Sequence, residues 1–201
     1  MVVRDLVGTA KAGLDVAWLL HTANEPAIAG NRATASAGGG RLHCVSLLPA
    51  GAEMTSVGGA GREFEVAGEN FAPARVRESD EPGSWRIEVV SRAASPGRHE
   101  LLHVLFIADV EDAALPDARL VECSRGRALA AGGVLFVFAE GAAAIDLSLA
   151  EPVSAALVLE LDGAGRLDIE GPVSTGGSVT ASASAYLAGA LPAGAYRIFA
   201  R

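Results

Sequence analysis

Short stretches in which apolar and polar residues alternate, separated by glycine and proline, dominate this chain. In "SWRIEVVS" (84–91), Trp85, Ile87 and Val89 alternate with charged or smaller residues. Side chains of a strand point in turn to two opposite faces, so this period of two indicates β-structure. No long stretch repeats apolar residues every 3.6 positions, and only the alanine-rich segment 183–190 suggests a helix. The sequence therefore predicts an all-β fold.

The spacing of the turn residues predicts how the strands are organised. Short strands separated by turn signals every 8 to 12 residues or so are typical of antiparallel sandwiches and barrels. We predict a large antiparallel β-sandwich of many short strands, forming a single domain over 1–201. The segment 156–172 is predicted to be a hairpin around Asp162-Gly163. Further strands are predicted over 2–7, 14–20, 41–48, 62–66, 84–91, 100–108, 120–123, 128–129, 134–138 and 194–199.

Charge and hydropathy argue against several classes of protein. The formal net charge is −8 and Lys11 is the only lysine, so we expect no nucleic-acid partner, because phosphate neutralisation supplies most of that affinity. The longest apolar runs fall far short of the ~20 residues that cross a bilayer, and no secretory signal follows Met1. The two cysteines, Cys44 and Cys123, fit either a pair or two buried thiols.

One histidine stands at the end of an apolar run. In "AWLLHTANEPAIAGN" (17–31), the run stops at His21, and a polar turn containing a proline follows. A histidine in this position fits three roles: a metal ligand, a residue of a cleft, or a strand-end side chain that faces water.

The stretch "HELLH" (99–103) matches the H-E-x-x-H pattern of zinc hydrolases. That pattern binds zinc on a helix, where His99 and His103 would share a face and Glu100 would act as general base. This stretch is predicted to be a strand, on which the two histidines lie about 13 Å apart. A zinc hydrolase is therefore the least favoured alternative.

Three stretches together resemble a known family. They are "WLLHTANEPAIAGN" (18–31), "RLHCVSLLPAGAEMTSVGGAGREFEVAGENF" (41–71) and "GSWRIEVVSRAASPGRHELLHVLFIAD" (83–109). In order and spacing they are similar to the C-terminal β-sandwich domain of heparinase II/III-like polysaccharide lyases, a group that includes alginate and heparan lyases. The resemblance is strongest over residues 1–110.

The resemblance implies a non-catalytic role for this chain. In that family a helical toroid precedes the sandwich and carries most of the groups that catalyse β-elimination of uronate-containing glycans. The implied partners are an acidic polysaccharide and a helical toroid catalytic domain, and the chain alone is expected to be inactive. Family members are usually periplasmic or secreted.

The resemblance also implies a metal site. Sandwich domains of this family hold a metal, often zinc, through histidines and an acidic residue. His21 in "LLHT" resembles the first such ligand, and His43 stands near the position of the second. We therefore predict a structural zinc site that includes His21 and His43.

Arginines are the candidate ligands for the glycan. Arg62, Arg75 and Arg77 are predicted to bind substrate, with Arg86 as a further candidate, because guanidinium pairs with carboxylate in bidentate geometry. The alternative is a free-standing glycan-binding or structural β-module. Its aromatic platform would have to come from Trp18, Phe71 or Trp85.

Overall fold

The computed structural model describes residues 1–73, 84–92, 97–112, 114–162, 167–172, 178–179 and 185–200. Within these ranges the chain forms nineteen β-strands and no helix, which confirms the predicted all-β, sandwich-like class. Nothing in the described part resembles a long apolar helix capable of crossing a membrane.

The chain divides into two compact units, Met1–Leu115 and Pro116–Arg201. The sequence suggested a single domain over 1–201, whereas each unit of the structure has a buried apolar cluster of its own. The three stretches that resemble the lyase sandwich all lie in the first unit.

The first unit is built from two facing sheets and a small hairpin. The larger sheet has the order β1-β10-β5-β4-β3, the smaller sheet has the order β2-β9-β6, and β7 pairs with β8. All the strand pairs in this unit are antiparallel. The strands are β1 (Val2–Thr9), β2 (Val16–Thr22), β3 (Ala27–Ala29), β4 (Arg32–Ala37), β5 (Gly40–Leu48), β6 (Met54–Gly58), β7 (Glu65–Val66), β8 (Glu69–Asn70), β9 (Trp85–Ser91) and β10 (Gly97–Asp109).

The core of the first unit lies between these two sheets. Cys44 of β5 pairs with Ala33 of β4 and with Leu105 of β10, so the three side chains form one inward row. Ile87 and Val89 of β9 pack against that row from the smaller sheet, and all five residues are buried. The alternation of each strand thus defines an inward face and an outward face.

The second unit contains two further sheets. Their orders are β11-β12-β13-β15-β18-β17 and β14-β19-β16, and β13 and β15 run parallel. The buried cluster includes Leu135, Ile145, Val158 and Ile198. The strands are β11 (Ala118–Val121), β12 (Arg127–Ala131), β13 (Val134–Phe138), β14 (Ala144–Leu149), β15 (Ala155–Leu159), β16 (Leu167–Glu170), β17 (Ser178–Val179), β18 (Ala185–Ala188) and β19 (Gly194–Ala200).

The predicted hairpin over 156–172 is wrong. Its two arms, β15 and β16, both exist, but β15 pairs with β13 and β18, whereas β16 pairs with β19. Alternation correctly indicated which residues of each arm are buried, Val158 and Ile169 among them. The alternation of apolar and polar residues does not indicate which other strand pairs with a given strand. The alanine-rich segment that suggested a helix contains strand β18.

Candidate functional site

The outward face of the smaller sheet in the first unit brings several of the predicted residues together. Leu20 and Ile87 are a cross-strand pair that points into the core. The next pair, His21 with Arg86, therefore points outward, because successive residues of a strand face opposite sides. We call the side of β2, β9 and β6 that faces away from the core the outer face. Its two central rows are His21–Arg86–Val57 and Leu19–Glu88–Thr55.

The hairpin of β7 and β8 is attached to this face through Arg86. The Arg86 side chain donates Nη2–H to the backbone carbonyl of Glu65, and its Nε donates to the carboxylate of Glu88 at 2.6 Å. Arg86 is buried, with only 8% of its surface exposed. Its guanidinium is therefore already bonded to the hairpin and to Glu88, and Arg86 is not available to bind a ligand.

Arg62 lies at the start of the same hairpin and remains accessible. Its Nε and Nη2 donate to the two carboxylate oxygens of Glu65 at 2.6 and 3.0 Å, which is a bidentate pair. The Arg62 side chain is 54% exposed. The hydrogen bond from Arg62 lowers the pKa of the Glu65 carboxyl, so the pair stays ionised at neutral pH. A ligand carboxylate can reach Arg62 from solvent and compete with Glu65.

A shallow groove of about 560 Å³ continues along the outer face. Thr55, Glu88 and Val90 form its floor, the loop 49–53 forms one wall, and Arg92 lies at its edge. Arg92 is exposed and lies 3.5 Å from Asp15. The groove therefore offers hydrogen-bonding groups of both charges over a partly apolar floor.

Of the three arginines predicted to bind substrate, the structure describes only Arg62. Arg62 lies at the hairpin, as described, and sequence reasoning identified it without its partner Glu65. Arg75 and Arg77 lie outside the described residues. Glu65 was missed because its role depends on the turn at Ala67-Gly68, where both residues have positive φ angles and bring β8 back beside β7.

The two histidines predicted to bind zinc belong to different sheets. His43 pairs with Thr34 and Phe106, and it alternates with Cys44, so it faces away from the core on the larger sheet. Its Nδ1 lies 3.0 Å from the Thr34 hydroxyl, and it is 3% exposed. His21 is exposed on the outer face of the other sheet.

This arrangement does not fit a zinc ion shared by His21 and His43. Packed sheets lie about 10 Å apart, and these two rings point away from each other, whereas zinc holds its nitrogen ligands at about 2.0 Å. Within the described ranges, no group of three or more histidine, cysteine or acidic residues is placed to hold a metal ion. That the protein binds zinc at all stays a prediction.

The "HELLH" stretch lies on strand β10, as predicted from its neighbours. His103 is fully buried and stacks on Trp18, with ring centroids 3.8 Å apart. His99 is also buried, and its Nδ1 lies 3.0 Å from the Ser91 hydroxyl. Glu100 forms an ion pair with Arg4 at 2.8 Å. These residues pack the sandwich and do not form the helical site that a zinc hydrolase of this type requires.

The groups best suited to proton transfer are mostly inaccessible. Of the four histidines, only His21 is exposed, and burial lowers the pKa of both His43 and His103. The two tyrosines, Tyr186 and Tyr196, are each 3% exposed within the core of the second unit.

Comparisons with known proteins add no relatives. No protein-family model matches this sequence, and no curated protein sequence matches it significantly. The resemblance to heparinase II/III-like sandwich domains therefore stays a prediction that rests on the three motifs.

Proposed function

We propose that this chain is the β-sandwich part of a heparinase II/III-like polysaccharide lyase, and that it binds an acidic glycan without catalysing its cleavage. The observation that carries the proposal is the hairpin anchored on the outer face. It presents Arg62 to solvent in the geometry that recognises a carboxylate, within one of the motifs that resemble the family.

Binding at Arg62 proceeds by exchange of one carboxylate for another. Glu65 holds the guanidinium in position when no ligand is bound, and a uronate carboxylate then takes over one or both of its hydrogen bonds. Because Arg62 is already paired, the net gain is smaller than that of a free guanidinium. We therefore expect a modest affinity, supported by contacts from Arg75 and Arg77.

The distribution of accessible side chains favours binding over catalysis. β-Elimination of a uronate needs a base for the C5 proton and an acid for the leaving oxygen. Both tyrosines are buried, and of the histidines only His21 is exposed. In the proposed assembly, those groups come from a helical toroid that works together with this chain.

The proposal is tested by isothermal titration calorimetry with alginate and heparin oligosaccharides at low salt. Arg62→Ala is expected to weaken binding about five- to tenfold, because a charge-assisted bidentate pair is replaced by water. Arg75→Ala and Arg77→Ala are expected to weaken it in the same direction.

Arg119→Ala is the matched control. Arg119 is also an ion-paired arginine, partly exposed and bonded to Asp117 and Glu151, but it lies in the second unit. Binding that is absent in the wild-type protein, or that falls equally in Arg62→Ala and Arg119→Ala, would contradict the proposal. Complete absence of binding would favour a purely structural module.

A further inference from the structure

The first strand of the chain lies at one end of the larger sheet of the first unit. β1 comes first in the order β1-β10-β5-β4-β3, and no strand in the described part of the chain pairs with its other side, which we call the open edge of β1. Its register with β10 is unbroken over all eight residues, and its sequence, "VVRDLVGT", contains no proline or lysine. Proline, lysine and bulges are common features that stop an edge strand from pairing with another chain. This edge is therefore suited to such pairing.

The hydrogen bonds between β1 and β10 define which backbone groups point to the open edge. The Met1 amino group donates to the Leu105 carbonyl at 2.7 Å, and the Leu105 N–H donates to the Met1 carbonyl at 2.8 Å. Bonded and non-bonded residue pairs alternate along an antiparallel ladder, so the odd-numbered residues of β1 bond to β10. The N–H and C=O groups of the even-numbered residues, Leu6 and Gly8 among them, therefore point to the open edge. Leu6 is 43% exposed and Gly8 is also exposed, so this part of the edge is accessible.

We propose that the open edge of β1 binds the same edge of a second copy of this chain. The two strands run antiparallel about a two-fold axis, and the two five-stranded sheets form one continuous sheet. The main-chain donors and acceptors at the edge are matched by another extended strand, which is how sheets extend across an interface. The proposal is independent of the proposed glycan binding, because it uses backbone groups of β1 and none of the residues of the outer face.

The charges of β1 select one register for this pairing. An axis through Arg4 or through Asp5 would place two like charges directly opposite each other, which is destabilising. An axis through Leu6 instead places Leu6 opposite Leu6 of the second copy, and Arg4 opposite Gly8. No like charges then face each other, and two exposed leucines cover each other. In this register β1 is complementary to itself, which favours a second copy as the occupant.

Sedimentation velocity of the whole chain, over a range of about 5 to 500 µM, is the first test. A single pair of strands is a small interface, so we expect a weak dimer whose fraction rises with concentration. Leu6→Lys places two like charges at the axis and should raise the Kd of the dimer at least about tenfold. Leu187→Lys is the matched control and should leave this Kd unchanged, because Leu187 is 48% exposed but lies on β18, which has a strand on each side.

Hydrogen exchange of the backbone amides, followed by NMR, tests the register itself. The Leu6 and Gly8 amides should exchange rapidly at low concentration and slowly at high concentration, since they donate only across the dimer axis. The Val7 amide bonds to β10 and should be protected at both concentrations. Gly8→Pro is the second variant: it removes a donor at the open edge and no bond to β10, and an added Cβ at Gly8 meets no atom within 4 Å. It should weaken the dimer even if Leu6→Lys fails to fold.

Two results would overturn the proposal. The first is a wild-type protein that stays monomeric over the whole concentration range. The second is a dimer whose Kd is the same in the wild-type protein and in folded Leu6→Lys or Gly8→Pro, with no added protection of the Leu6 and Gly8 amides, because copies of the chain would then meet at another surface.

Discussion

His103 should make the first unit sensitive to acid, and replacing it should remove that sensitivity. Its ring lies fully buried between the two sheets, stacked on Trp18. Both ring nitrogens are buried, and neither has a hydrogen-bond partner. Burial disfavours the imidazolium and lowers the pKa of His103 from 6.5 to about 4. The change we propose is His103→Leu, which keeps a similar volume and removes both polar atoms.

The expected gain at pH 7.5 follows from the two unpartnered nitrogens. A buried donor or acceptor without a partner costs at least about 1 kcal/mol, so two such atoms cost about 2 kcal/mol. Loss of the stacked pair with Trp18 offsets about 1 kcal/mol of this. His103→Leu should therefore be more stable than the wild-type protein by about 1 kcal/mol at pH 7.5.

The difference should widen at lower pH. Above pH 6.5, His103 is neutral in both the folded and the unfolded protein and contributes no pH dependence. Below that value the unfolded protein binds a proton that the folded protein does not, so stability falls as pH decreases towards the folded pKa. At about 1.4 kcal/mol per pH unit, the advantage of His103→Leu should grow by about 2 kcal/mol between pH 7.5 and pH 5.

Urea unfolding followed by tryptophan fluorescence measures this difference. Trp18 and Trp85 are the only tryptophans, so the signal reports on the first unit. His21→Leu is the control, because it removes an exposed histidine from the same unit. If the free energies of unfolding of His103→Leu and wild type differ by the same amount at pH 7.5 and pH 5, the reasoning about the buried ring is refuted.

Two further predictions concern the second unit and the thiols. At Gly126 (φ +68°) an added Cβ would meet the backbone oxygen of Phe138, so Gly126→Ala should lower the free energy of unfolding by more than about 2 kcal/mol in calorimetry. At Gly141 (φ +75°) an added Cβ would meet no atom within 4 Å, so Gly141→Ala should lower it by about 1 kcal/mol. Equal costs would contradict this reasoning. Burial raises the pKa of the Cys44 thiol to about 12, so an aromatic disulfide reagent at pH 8 should label the partly exposed Cys123 before Cys44. Equal labelling rates for the two thiols would show that Cys44 is not buried as described.

Much of the local structure was accessible from the sequence. The apolar run at 134–138 was located to the residue as β13, and the "HELLH" stretch was identified as a strand from its apolar neighbours. Strand β4, by contrast, was missed, because "RATASA" consists largely of small residues with little apolar contrast. These outcomes share one cause: alternation is a local property, and a strand is readable only where its two faces differ in chemistry.

The candidate site depended far more on long-range pairing. The sequence identified His21, Arg62 and Arg86 one by one, but only the pairing of β2 with β9 and the bond from Arg86 to Glu65 brought them to one face. Strand pairing also placed His21 and His43 in different sheets, whereas the family resemblance had implied that they share one zinc site.

The sequence by itself determined the all-β class and many of the strand positions. The tertiary structure alone decided which strands lie side by side, as the separation of β15 from β16 shows. The physical reason is that the apolar face of an alternating strand can be buried by any apolar surface of suitable shape, whichever part of the chain supplies that surface. The identity of the covering strand depends on the packing of residues distant in the chain, which a local pattern does not record.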